Sequence, residues 1–125
     1  MTIRDIYRLS LGLLAENELD ATDYEAQVVP LINIMAVELL ELNRALCLYK
    51  GKEPLVSAPY YVDLTNLDVE MPYESEITAG VMPYGLAAKL ALDDEMAKAS
   101  YFNNEYVEKQ QQYTRYRVGT VEDVY

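Results

Sequence analysis

The sequence predicts an all-α protein: a small four-helix bundle with an extended, proline-containing insertion and an extended C-terminal tail. Three observations predict it. Apolar residues recur at spacings of three and four through most of the chain, the period of a helix buried along one face. Pro54, Pro59 and Pro72 gather in a single stretch, 52–73, and break any helix there. Gly51 and Gly119 stand where two of the helices should stop. The domain division that follows is a helical bundle over 1–117, carrying the insertion 52–73, and a tail over 118–125.

The first helix is capped by Thr2 and carries Ile3, Ile6, Tyr7, Leu13 and Leu14. Residues 16–20 break it. Thr22-Asp23-Tyr24-Glu25 then has the form of a capping box, with Thr22 at the N-cap and Glu25 at N3. A long second helix is expected from there to Tyr49, kinked or restarted at Pro30. After Pro30 it carries a stripe of Leu31, Met35, Leu39, Leu42, Leu46 and Tyr49. Ile34, Val37 and Leu48 widen that stripe beyond one face, so this helix should be central, packed from at least two sides. Glu41 and Arg44 are expected to pair across one turn of its polar face.

Residues 52–73 are read as extended. Tyr60-Tyr61-Val62-Asp63-Leu64 and Asp68-Val69-Glu70-Met71 nearly alternate apolar with polar. A third helix follows from Glu74 with Ile77, Val81, Tyr84, Ala88 and Leu92 on one face, bent at Pro83. Gly85, Ala87, Ala88 and Ala91 permit close approach of another helix. Asp93 is the expected cap of the fourth helix, which carries Met96, Ala99, Phe102, Tyr106, Gln110 and Tyr113 and ends at Gly119.

Composition limits the chemistry. The chain has 125 residues, 51% of them apolar, against a net charge of −11. That balance describes one folded domain rather than an acidic disordered chain. No run approaches membrane-spanning length, and no signal peptide is visible, so the expected compartment is the cytoplasm. There is no histidine and only one cysteine, Cys47. A Ser-His triad, an internal disulfide and a cysteine zinc cluster are therefore excluded. Cys47 lies in an apolar helix pattern and is read as a small buried hydrophobe. Glu38-x-x-Glu41 resembles half of the magnesium site of all-helical nucleotide pyrophosphohydrolases, but no ExxD follows on a later helix. Asp93-Asp94-Glu95 is explained by capping. No metal, cofactor or catalytic residue is expected.

Residues 51–78 hold six acidic groups and one basic group. Such a surface repels phosphate, so it suits a protein that DNA passes without binding, or one that mimics DNA. The twelve tyrosines against one phenylalanine favour protein interfaces, where a large ring with a water-tolerant hydroxyl serves well. Tyr60, Tyr61, Tyr113 and Tyr116 are the candidates.

The pattern from Tyr84 to Tyr106, Tyr84-Gly85-Leu86-Ala87-Ala88 followed by Ala91-Leu92-Asp93-Asp94, then Ala99, Phe102 and Tyr106, resembles the helical hairpin of head-to-tail connector (portal adaptor, head completion) proteins of tailed bacteriophages. Asp23-Tyr24 with Pro30-Leu31-Ile32-Asn33 resembles the opening of their long helix. Leu64, Asp68 and Met71-Pro72 resemble the short extended segment ahead of the third.

The resemblance implies a non-enzymatic homo-oligomer, a ring typically of twelve copies. It would sit under the portal protein at the virion head-tail junction, after assembly in the host cytoplasm. DNA would pass through its channel, and the tail or a stopper protein would dock on it. It also implies that Val118, Thr120, Val121, Val124 and Tyr125 reach the portal or a neighbouring subunit. By the same resemblance Asp68, Glu70, Glu74 and Glu76 face the channel. Two other readings stay open: an acidic DNA mimic that binds a DNA-binding protein, and a magnesium-dependent nucleotide pyrophosphohydrolase.

Overall fold

A computed structural model describes residues 1–18 and 21–114. The described residues are mostly helical and include no strand, in keeping with the all-α class. Five helices of nine or more residues and one single-turn helix replace the expected four: α1 (Ile3–Leu13), α2 (Thr22–Glu38), α3 (Leu40–Tyr49), α4 (Ser75–Thr78), α5 (Met82–Leu90) and α6 (Met96–Tyr113). A short 3-10 turn, Ala91–Asp93, joins the last two.

Helix α1 starts as its sequence directs. Thr2 Oγ1 accepts from Asp5 N, and the Asp5 carboxylate accepts from Thr2 N, a complete capping box. Ile3 N and Arg4 N donate to Val69 O and Leu67 O at 3.0 and 2.8 Å. These bonds satisfy the helix's first N–H groups, which have no intrahelical acceptors, and tie residues 67–71 to the N-terminus through a single bridge, Thr2 to Glu70.

The second capping box does not form. Thr22 is already helical, Ala21 is the N-cap, and no side chain caps it. The helix does not restart at Pro30: α2 runs through it to Glu38. Proline leaves the carbonyl four residues back, on Ala26, without its usual donor. Ala26 is exposed, so water can serve that oxygen. The interruption falls at Leu39, where ψ is 1°. Leu39 N still donates to Met35 O, and Leu39 O accepts from Asn43 N, each at 2.9 Å. These two bonds span the interruption.

Pro83 opens α5 rather than bending a longer helix. At that position its missing N–H costs nothing. Asp93 is not the cap of α6. It ends the 3-10 turn, and Glu95 takes the N-cap place with extended backbone and no capping bond.

Residues 51–74 contain no helix. Two buried asparagines hold this segment. Asn33 donates to Tyr61 O at 3.1 Å and accepts from Tyr61 N at 2.9 Å. Asn43 Oδ1 accepts from Glu74 N at 2.7 Å.

The core lies between α1, α2 and α5, with α6 closing over α5. Ile3, Ile6, Tyr7, Val28, Ile32, Met35, Ile77, Met82 and Leu86 are fully buried in it. The helix after Pro30 is not central, contrary to expectation. Met35, Leu39, Leu42 and Leu46 are buried, but Ile34, Val37 and Leu48 face outward. Glu41 and Arg44 do not pair with each other. Both are exposed, where an ion pair gains little over hydration.

Candidate interaction surface

The acidic segment is spent largely within the chain. Arg4 Nε lies 2.7 Å from Asp68 Oδ1, and the N-terminal ammonium 2.9 Å from Glu70 Oε2. Lys50 Nζ lies 3.1 Å from Glu74 and 2.6 Å from Glu76, and Lys52 Nζ 2.9 Å from Glu74. Every one of the four expected channel acids thus has a cation from elsewhere in the chain. Hydrogen bonds from these partners hold three carboxyls below their ordinary range: Asp68 through Arg4, Glu74 through Lys52 then Lys50, and Glu76 through Lys50. Spacing within 68–76 gives no sign of this, because the cations come from positions 1, 4, 50 and 52.

Many tyrosines point inward. Tyr7 donates to Ala21 O at 3.0 Å, Tyr73 to Ala36 O, Tyr24 to Asp94, Tyr61 to Glu70 O and Tyr106 to Glu38 Oε1 at 2.8 Å. Each ring fills space while its hydroxyl joins two segments, which phenylalanine cannot do. Burial raises the Tyr106 hydroxyl far above its usual range, and the Glu38 carboxylate adds to this. Burial likewise lifts Tyr73 to about 12, and the bond to Asp94 lifts Tyr24 to about 12.

Of the expected interface tyrosines, Tyr60 is 73% exposed, whereas Tyr61 and Tyr113 are half-buried. Tyr61 is held by Asn33 and bonded to Glu70 O, so its place is structural. Tyr116, Val118, Thr120, Val121, Val124 and Tyr125 lie outside the described residues.

The hairpin of α5 and α6 is built by its small residues. A Cβ on Gly85 would stand 2.6 Å from Tyr106 Cε1 and 2.8 Å from Met35 Sδ. Ala87, Ala88, Ala91, Ala99 and Phe102 are buried around the same contact. Lys89 lies 5.1 Å from the centre of the Tyr106 ring and 3.4 Å from Glu38. Glu38 is therefore a structural partner of Tyr106 and Lys89.

A surface hollow of about 240 Å³ is lined by Glu16, Asp23, Asp93 and Asp94 with Tyr24 and Gln27. Among the described residues no group of three or more acids, cysteines or histidines is arranged to hold a metal ion. None of the described helices is long and apolar enough to cross a membrane.

Large apolar side chains are nevertheless left in water. Val56, Tyr60, Val62 and Leu64 project from the segment 51–74, and Leu92, Met96, Tyr101 and Val107 from residues 92–107. Ile34, Val37 and Leu48 form a third group on α2 and α3. The exposure of Ile34, Val37 and Leu48 was hidden in the sequence, where they read as core. No protein-family model, curated protein or solved structure matches this chain.

Proposed function

We propose that the protein is a structural subunit of a tailed-bacteriophage head-to-tail connector, assembling as an adaptor ring, a dodecamer on the family pattern, beneath the portal. The α5–α6 hairpin carries this reading. Gly85, Ala88, Ala91, Ala99, Phe102 and Tyr106, which carry the resemblance, are also the residues that bring the two helices together. A scaffold role needs only such a rigid element and faces to offer neighbours.

The exposed apolar groups on 56–64 and on the hairpin supply such faces, since side chains of this kind mark association surfaces when they gather. In the ring, 52–73 would be the extended arm of a helical bundle. The tail 118–125 would reach the portal or the next subunit by adding a strand. Tail or stopper proteins would dock on the opposite side. DNA would pass without specific binding, kept off by the chain's net charge of −11. No catalysis or cofactor enters.

The experiment is to incubate the full chain with tailless, DNA-filled heads and image the vertex by electron microscopy. A ring of added density beneath the portal is expected. Absence of added density at micromolar protein overturns the reading.

A further inference from the structure

A helix apolar on both sides calls for two packing partners, and the described chain supplies only one. The inward face of α2 and α3, through Met35, Leu39, Leu42 and Leu46, is covered by the bundle. The opposite face presents Ile34, Val37, Glu41, Arg44 and Leu48, spaced three, four, three and four. That is a/d spacing, apolar at three of its five positions and running from α2 to α3 across the non-helical Leu39. Ile34 is 51%, Val37 69% and Leu48 58% exposed. Glu41 and Arg44, at the middle of the seam, are exposed and make no ion pair with any described residue.

We infer that this face docks a second copy of the same chain, antiparallel, about a two-fold axis passing between Leu42 and Asn43. In antiparallel packing an a position meets a d position of the other helix. Here that sets Val37 against Leu48 of the second copy and Glu41 against Arg44 of the second copy. Symmetry repeats both pairs. The centre then holds two opposite-charge pairs flanked by two apolar ones. Ile34 falls over the helix end at Gly51 of the second copy, where an added Cβ would meet nothing within 4 Å.

The charges also exclude the alternative. A parallel pair would place Glu41 on Glu41 and Arg44 on Arg44, which repel. An isologous contact of this kind closes at two copies, unlike the head-to-tail contacts of a ring. The inference therefore does not rest on the connector reading and is tested without phage components.

The test is sedimentation of the full chain across the micromolar range, in salt of about 0.15 M to screen its net negative charge. The native chain should form a concentration-dependent dimer. Glu41→Arg makes the seam wholly basic and Arg44→Glu makes it wholly acidic. Each alone should weaken the dimer at least roughly tenfold, with unchanged circular dichroism because both positions are exposed. An equimolar mixture of the two should restore association, since a basic seam then meets an acidic one. The doubly reversed chain, Glu41→Arg with Arg44→Glu, should also dimerise.

A native chain that stays monomeric throughout overturns the inference. So does a dimer or larger assembly indifferent to either substitution, which would place the contact elsewhere. Failure of the mixture to associate shows that the two charges do not face each other and overturns it as well.

Discussion

The ring of Tyr106 lies where a side chain on Gly85 would be, and its hydroxyl reaches past that point to Glu38. The missing Cβ is thus what lets α6 settle on α5 and touch α2. Gly85→Ala should destabilise the protein. The added methyl would come within 2.7 Å of two ring carbons and 2.8 Å of Met35 Sδ. The sulfur can shift, but the ring is fixed by its own bond. Overpacking of this kind costs about 1–3 kcal/mol, less about 1 kcal/mol returned by alanine's better helix propensity. A net loss of up to about 2 kcal/mol is expected in urea unfolding; stability greater than native would show that α5 and α6 are not so closely packed.

Tyr106→Phe isolates the hydroxyl. It removes a bond to a carboxylate that also faces Lys89, with the ring and its packing retained. A loss of about 1–2 kcal/mol is expected, the range of one hydrogen bond to a charged acceptor with some exposure. If the two groups are coupled, adding Glu38→Gln should cost much less in the Tyr106→Phe background than in the native chain. Additive effects would deny the coupling.

These contacts mark what was legible in the sequence. The periodicity gave the helices, and the Thr2 cap and the stop at Gly51 followed from local chemistry. The small residues at 85–91 announced a close helix approach. What escaped depended on distant partners. Pro30 looked like a break, yet its cost is one carbonyl on the exposed Ala26, whereas the interruption at Leu39 has no local signal. Asn33 and Asn43 are unremarkable helix residues until a returning segment offers them backbone groups. The acids at 68–76 looked like a free surface because their cations lie elsewhere in the chain. Ile34, Val37 and Leu48 looked like core because hydropathy cannot distinguish a face buried by the chain from one left for another copy.

Glu74 is the test of that acidic segment. Its side chain is 12% exposed and lies between Lys50 and Lys52. Glu74→Gln should lower stability by about 1 kcal/mol, a figure held low because Lys52 is largely solvated. Glu74→Lys should cost clearly more, because it places a third cation beside two. Asp68→Lys should likewise loosen 67–71 from the start of α1, seen as faster amide exchange at Ile3 and Arg4. Native stability in all three variants would mean that these ion pairs are incidental and the acids are free for another purpose.

Stability should be flat near neutrality and fall at both extremes of pH. With no histidine in the chain, no imidazole titrates between pH 5 and 8. On the acid side, Asp5, Glu18, Asp68, Glu74 and Glu76 are held below their ordinary values by hydrogen bonds and nearby cations. Such groups bind protons more readily when unfolded. Their stabilisation is complete above the unfolded carboxylate values near 4 and is lost as the pH falls through the lower folded ones. On the alkaline side the tyrosines act in the opposite sense. Tyr7, Tyr24 and Tyr73 are raised to about 12, and Tyr106 is raised as well. Their folded forms keep the proton while the unfolded chain releases it near pH 10, so stability is intact below 10 and lost as the pH rises toward 12. Thermal midpoints measured from pH 3 to 11 should trace a plateau with two falling limbs. Tyr106→Phe should make the alkaline limb shallower and leave the acid limb unchanged. An alkaline limb of native steepness in that variant would show that Tyr106 ionises as freely in the folded protein as in the unfolded chain.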